Sequence, residues 1–328
     1  MRVQPAPYGP LTALGAVLKS VESVRNAPAL YLLLLSLALA GLLLTQAQGA
    51  LAHAAPGLAA LPVVGAVLIV FYGSNAAGLA VMDEAQGRTP RHPLDALQDA
   101  LRLAHRLAGV ALVALLCAAA VVALLLALLW ATRLPWIGAS LLSLVVALGV
   151  PLMGGVALVM VTLVGPIAAP AVWSGLTLRQ TLAMVLRQMR RRFAHAVLLS
   201  AAVSLLSAAV AGLVSFVVLT GGRALLGLVA LATDIELPPD ALMAALFGIG
   251  LRVPVGAPPL SPALSAALSG AGVVFALGLV LPGVVYLRGL CALFLELQAI
   301  DRAWDGEPEP AETSAKPAVG TSAETPAP

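Results

Sequence analysis

The sequence predicts an all-α, polytopic integral membrane protein: six transmembrane helices as three hairpins, each preceded by a cytoplasmic amphipathic helix. Three observations predict it. Apolar residues make up 61% of the 328-residue chain and charged residues only 10%, where a soluble domain carries about 25% charge. Stretches approaching or exceeding the roughly 20 apolar residues that cross a bilayer core as a helix recur six times. Lysine and arginine gather in alternate connections between those stretches. Lipid admits only helices and closed barrels, and runs this continuous lack the alternation of barrel strands.

The elements follow in order. Residues 1–10 form an N-terminal tail, and 11–303 form the membrane domain. PLTALGAVLKSVESVRN (10–26) places Leu14, Val17, Leu18 and Val21 on one helical face, with Lys19 and Arg25 among its charges. Two apolar spans follow, about 27–45 and 59–82. PLDALQDALRLAHRLAG (93–109) then echoes the first stretch 83 positions on, with Pro10/Pro93, Leu14/Leu97, Leu18/Leu101 and Lys19/Arg102 in register. Arg106 adds a further positive charge. Spans at about 107–131 and 136–164 come next, the second predicted to kink at Pro151 beside Gly149, Gly154 and Gly155.

The third basic stretch, LTLRQTLAMVLRQMRRRFAH, puts Leu178, Leu182, Val185, Leu186 and Met189 on one face. Arg187, Arg190 and Arg191 cluster away from most of them, Arg192 follows, and Ser174 is a candidate N-cap. Its Leu182, Leu186 and Arg187 match Leu14, Leu18 and Lys19 at an offset of 168. Such matches are cheap in a chain rich in leucine and alanine, so common repeat ancestry stays open. The physical repeat is a parallel one, because two spans per unit return the chain to the side it left. After a span at about 194–219, the connection 220–268 holds two apolar pieces, 224–232 and 241–251, too short to cross and expected at the interface or capping the bundle. A last span covers about 269–290. Residues 304–328, rich in Pro, Ala, Glu, Ser and Thr, are expected to be a disordered cytoplasmic tail.

Fourteen lysines and arginines fall on one side of the spans and three on the other, with Arg288 completing the 18. Positive charge is retained inside, so both termini are expected in the cytoplasm and the protein in the bacterial inner membrane. The first apolar run follows an amphipathic segment and shows no small-residue cleavage site, which predicts that it stays in place. A net charge of +3 is too small and scattered for a nucleic-acid partner. Cys117 and Cys291 lie in apolar runs and read as membrane-core residues rather than a disulfide framework.

Three segments carry a resemblance: MDEAQGRTPRHPLDAL after the second span, GPIAAPAVWSGLTLRQTLAMVLRQMRRRF after the fourth, and LFLELQAIDRAWDGEP after the sixth. Their order resembles the six-helix membrane domain found on some bacterial glycerophosphodiester phosphodiesterases and related stand-alone membrane proteins, over about residues 10–305. That family's catalysis resides in a soluble domain with no counterpart in these segments. The resemblance therefore implies an architecture and no active site.

Buried ionisable groups are the usual mark of an ion or proton path. Residues 26–82, 107–132, 134–178 and 193–222 carry no Asp, Glu, Lys or Arg. Arg288 is expected near the inner headgroups, where it can snorkel. His53, His92, His105 and His195 show no close metal-ligand spacing, and no cofactor is expected. Asp83, Glu84 and His92 could meet His105, although a solvated interfacial loop is the plainer reading. Asn75, beside Ser74, is the most polar point within a span and a candidate interhelical contact. Ser200, Ser204, Ala208 and Gly212 put small residues at every fourth position, a candidate surface for close helix approach.

These features favour a non-enzymatic protein that meets anionic lipid headgroups, or a membrane-protein partner, through Lys19, Arg25, Arg102, Arg106, Arg187, Arg190, Arg191 and Arg192. The alternative is a transporter or channel for a neutral or lipidic molecule, with Asn75 and the Pro151 kink on its path. An enzyme built on Asp83, Glu84, His92, His105 and His195 ranks third.

Overall fold

The computed structural model describes residues 26–52, 56–89, 91–133, 138–232 and 262–305, and all regular secondary structure among them is helical. The helices are α1 (Ala27–Ala52), α2 (Pro56–Ala85), α3 (Pro93–Ala131), α4 (Gly138–Val159), α5 (Gly165–Trp173), α6 (Leu178–Arg191), α7 (Phe193–Ala232) and α8 (Pro262–Asp305). A π-helical turn, Met160–Val164, joins α4 to α5. Six stretches are long and apolar enough to cross a membrane: Ala27–Ala47, Gly57–Ala85, Pro93–Ala131, Ser140–Trp173, Phe193–Val229 and Gly270–Arg302. The first amphipathic stretch with Lys19 and Arg25, His53, the apolar piece 241–251 and the tail from 306 onward lie outside the described residues.

Several boundaries differ from expectation. Residues 93–106 are not a separate amphipathic helix. They are the first turns of α3, which runs unbroken for 39 residues, because no proline follows Pro93 and the backbone ladder has nothing to interrupt it. The piece 224–232 likewise continues α7, a helix of 40 residues. Pro151 sits inside α4, but the departure from α geometry comes later, at Met160–Val164, where the Gly165 N–H bonds back to the Met160 carbonyl. Pro166 and Pro170 follow there and remove two donors from the ladder.

Two glycines turn the chain at the same end of the molecule. Gly87 (φ 72°) follows α2 and Gly175 (φ 96°) follows α5. Each adopts the left-handed conformation that lets the next two N–H groups fold back onto the helix end. Gly87 N bonds Glu84 O at 3.0 Å and Arg88 N bonds Asp83 O at 2.8 Å; Gly175 N bonds Val172 O at 3.0 Å and Leu176 N bonds Ala171 O at 3.1 Å. The second and fourth spans therefore leave the membrane by one device. Ser174 closes α5, its hydroxyl donating to Ala171 O at 2.8 Å, and is not the N-cap of α6. Thr177 is, with Gln180 Oε1 accepting from the Thr177 backbone N–H and hydroxyl at 2.9 Å each.

The core lies toward this basic end. It joins Ala29 and Leu33 of α1, Ala76, Leu79 and Ala80 of α2, Ala96 and Ala100 of α3, Leu163 of the π turn, Ile167 of α5, Met184 of α6, Leu199 and Val203 of α7, and Val284, Cys291, Phe294 and Leu297 of α8. In lipid, apolar surface gains little by leaving one oily medium for another, so close packing and interhelical hydrogen bonds carry assembly. Small residues provide the approach. A Cβ at Gly73 would collide with Ser36, one at Gly78 with the Trp173 ring, and one at Gly289 would lie 2.6 Å from Val203.

The opposite half is thinner. α3 and α4 pack on each other, with Gly149 against Leu125, while Leu115, Leu116, Leu148 and Val150 stay exposed. α7 leans on α8 there, and its Leu205 and Phe216 are open.

Candidate functional site

The polar chemistry collects where the core meets the basic end. The Gly87 turn brings Arg91 back over α2, where its Nε and Nη2 donate to Asp83 Oδ2 and Oδ1 at 2.6 and 2.7 Å, and its Nη1 to Asp99 at 2.8 Å. Asp83 is buried and Arg91 half-buried. The Asp83 hydrogen bond, outweighing burial, raises the Arg91 guanidinium above its usual range. Two-pronged pairing of this kind fixes orientation as well as charge. It clamps the start of α3 to the end of α2.

A second link closes the hairpin of α1 and α2. Asn26 Nδ2 donates to Glu84 at 2.6 Å and to Ala80 O at 3.3 Å, while its Oδ1 caps α1 by accepting from Ala29 N at 3.1 Å. Arg288 reaches the same region from α8, its Nη1 3.4 Å from Val81 O. Asp83 is no solvated loop residue but the buried half of an ion pair. His92 and His105 are exposed and His195 half-buried. Among the described residues, no group of three histidines, cysteines or carboxylates is placed to hold a metal.

Inside the membrane the one long-range side-chain bond among the described residues that joins two polar side chains runs from Trp173 Nε1 to Asn75 Oδ1, at 2.9 Å and buried. Asn75 Nδ2 turns to its own helix, at 2.7 Å from Phe71 O. Gly78, one turn along, leaves the space that the indole fills.

α6 is the most informative element. Its buried residues, Thr181, Met184, Val185 and Gln188, follow i, i+3, i+4, i+7 spacing and face the bundle. This differs from the predicted apolar face: Leu186 is 44% exposed and Met189 38%. Those leucine and methionine side chains form a second sector beside the packed one. Arg179, Arg187, Arg190 and Arg191, all exposed, fill the third. The helix thus divides into a protein-facing, an apolar open and a basic sector. Gln188 Nε2 anchors it to α8 through Asp301 at 2.8 Å. Arg192 joins the anchor, its Nε 3.5 Å from Asp301 and its Nη2 3.5 Å from Ile300 O. Arg192 is accordingly a strut, set apart from its three neighbours.

The remaining predicted residues are dispersed. Arg102 is exposed on α3 and Arg106 half-buried; Ala96, Ala100 and Ala104 take the buried positions of the same stretch, while Leu97 and Leu101 are exposed. Ser200 is buried, but Ser204, Ala208 and Gly212 are exposed, and a Cβ at Gly212 would meet nothing. The close approach of α7 to α8 uses Gly289 and Gly278 instead. Sequence reading missed Arg91, Asp99, Gln188 and Asp301, whose partners become neighbours only through the two glycine turns and the long reach of α8. Comparison with family models, with curated proteins and with solved structures finds no match.

Proposed function

We propose that this chain is a non-enzymatic protein of the bacterial inner membrane, with both termini in the cytoplasm, that engages anionic lipid headgroups through α6. The observation that carries this reading is the three-sector division of α6. A helix docked by one face, with Leu186 and Met189 open beside an arginine sector, has the form of an interfacial element whose apolar side enters the acyl boundary while its basic side meets phosphate. Arg102 and Arg106 extend the positive surface along α3. A membrane-protein partner with an acidic face would use the same arginines. The architecture implied by the resemblance to phosphodiesterase membrane domains is compatible with this role and brings no catalytic residue.

The test is retention of phosphatidylglycerol by the purified full chain, read by native mass spectrometry. Each arginine near a charged surface adds about 1 kcal/mol, so replacing Arg179, Arg187, Arg190 and Arg191 together with Gln is expected to lower retention by more than tenfold, with phosphatidylcholine unaffected. Equal retention of the anionic lipid, with unchanged co-purifying proteins, would remove the reading.

A second reading, passage of a neutral or lipidic molecule, is favoured by the π turn at Met160–Val164, since such turns often mark functional positions in helices. Flux of uncharged solutes or labelled lipid in reconstituted vesicles, abolished when the turn is regularised by deleting one residue, would support it. Absence of flux would leave the lipid-docking reading alone.

A further inference from the structure

The packed face of α6 carries unpaired polar atoms. Thr181 and Gln188 are fully buried, yet Thr181 Oγ1 and Gln188 Oε1 have no hydrogen-bond partner. Gln188 is held through its Nε2 alone, by Asp301. His195 Nε2, just past the end of α6, is a third such atom. Buried polar groups are ordinarily paired; an unpaired one weighs against the docked state, and solvation relieves it. Both ends of α6 also break the helical path. Gly175 precedes it at φ 96°, and Arg192 closes it at φ −143°, ψ 31°. The N-terminal cap is internal to the element, Thr177 with Gln180, and the contact with α3 there is apolar, Leu178 against Gly109. A polar hold on the bundle sits at the other end, where Asp301 meets Gln188 and Arg192.

We infer that α6 is a hinged arm, detaching from the bundle between Gly175 and Arg192 with Asp301 as its catch. Detachment solvates Thr181 and Gln188. It also joins the buried Met184 and Val185 to Leu182, Leu186 and Met189 in one continuous apolar arc opposite the arginines. The arm then offers the acyl boundary a wider face than the docked helix does. That consequence rests on the lipid reading above; the opening itself does not.

Labelling of a buried thiol reads the opening without anionic lipid. The full-length chain carrying Cys117→Ser and Cys291→Ala is held in phosphatidylcholine nanodiscs and treated with a water-soluble maleimide. Met184→Cys reports on the arm. Leu287→Cys on α8 is the control, because the two native side chains are similarly buried, 6% and 8% exposed. Local opening predicts that Met184→Cys reacts at least tenfold faster. Thr181→Val keeps the side-chain shape and removes the unpaired hydroxyl, so it is expected to slow Met184→Cys about fivefold. Asp301→Ala releases the catch and is expected to speed it about fivefold. Neither change should move the Leu287→Cys rate. Equal rates at the two thiols, a Thr181→Val rate that holds or rises, or acceleration of both thiols alike would overturn the arm. Should the arginine replacements on α6 leave phosphatidylglycerol retention unchanged while this labelling pattern persists, the lipid reading fails and the arm stands.

Discussion

Phe294 and Phe216 are the same side chain in two different surroundings. Phe294 is fully buried on α8 within the basic-end half, and Phe216 is 66% exposed on α7 toward the opposite end. Around Phe294 every span contributes to one core, and polar links bind the helices at its rim: Arg91 to Asp83, Asn26 to Glu84, Gln188 to Asp301. Around Phe216 the helix surface is largely open, with Leu213 and Val217 exposed beside it. Both halves are built from apolar spans, so apolarity alone cannot be what assembles one and leaves the other open. What differs is small residues at crossings and satisfied polar groups between helices, which are the forces available where no water is present to drive burial.

The sharpest way to break this contrast is to make one substitution twice. Phe294→Ala removes a fully packed ring and is expected to cost about 3–5 kcal/mol, lowering the detergent unfolding midpoint strongly. Phe216→Ala is expected to stay within about 0.5 kcal/mol, because lipid or detergent already touches that ring. Equal effects would show that the far half is packed in solution against something absent from an isolated chain. Glycines give a second pair. Gly78→Val drives a branched side chain into the Trp173 indole and is expected to cost about 2 kcal/mol, while Gly154→Val enters open space and should leave the midpoint unchanged.

The number of spans was legible because each holds a long apolar run with few or no charges, and length against bilayer thickness is a counting problem. The facing of each helix was far less legible. In a soluble helix the apolar stripe is the buried one, and Leu97, Leu101, Leu186 and Met189 would be core. Here they are exposed, and Ala96, Ala100, Thr181 and Gln188 are buried, because lipid accepts leucine as readily as a neighbouring helix does and only small or hydrogen-bonded residues permit close contact. The polar rim was illegible for another reason. Arg91 meets Asp83 only after the Gly87 turn, and Gln188 meets Asp301 across 113 positions of chain, so no local spacing announces either.

The ion pair gives the next smaller effect. Asp83→Asn leaves Arg91 partly buried with Asp99 as its remaining acid. Breaking a fully buried pair costs 3–5 kcal/mol, but the Arg91 side chain is 28% exposed, so about 2 kcal/mol is expected. Arg91→Gln in the same background should then add little, because the partner has already gone. Additive losses in that double-mutant cycle would mean that the two side chains act separately.

The smallest expected effect tests whether intramembrane polar contacts assemble this protein or only orient it. Trp173→Phe removes the indole N–H and leaves Asn75 Oδ1 without its donor, while Asn75 Nδ2 keeps its bond to Phe71 O. Hydrogen bonds between membrane helices contribute about 0.6 kcal/mol on average, since polar groups find other partners in the unfolded membrane state. The coupling between Trp173→Phe and Asn75→Leu should therefore come out near 1 kcal/mol, well below the Phe294 and Gly78 losses. A larger coupling, on the order of 3 kcal/mol, would reverse the ranking proposed for the basic-end half. It would make the Asn75 bond, rather than the space that Gly78 leaves for the indole, the reason the second and fourth spans meet there.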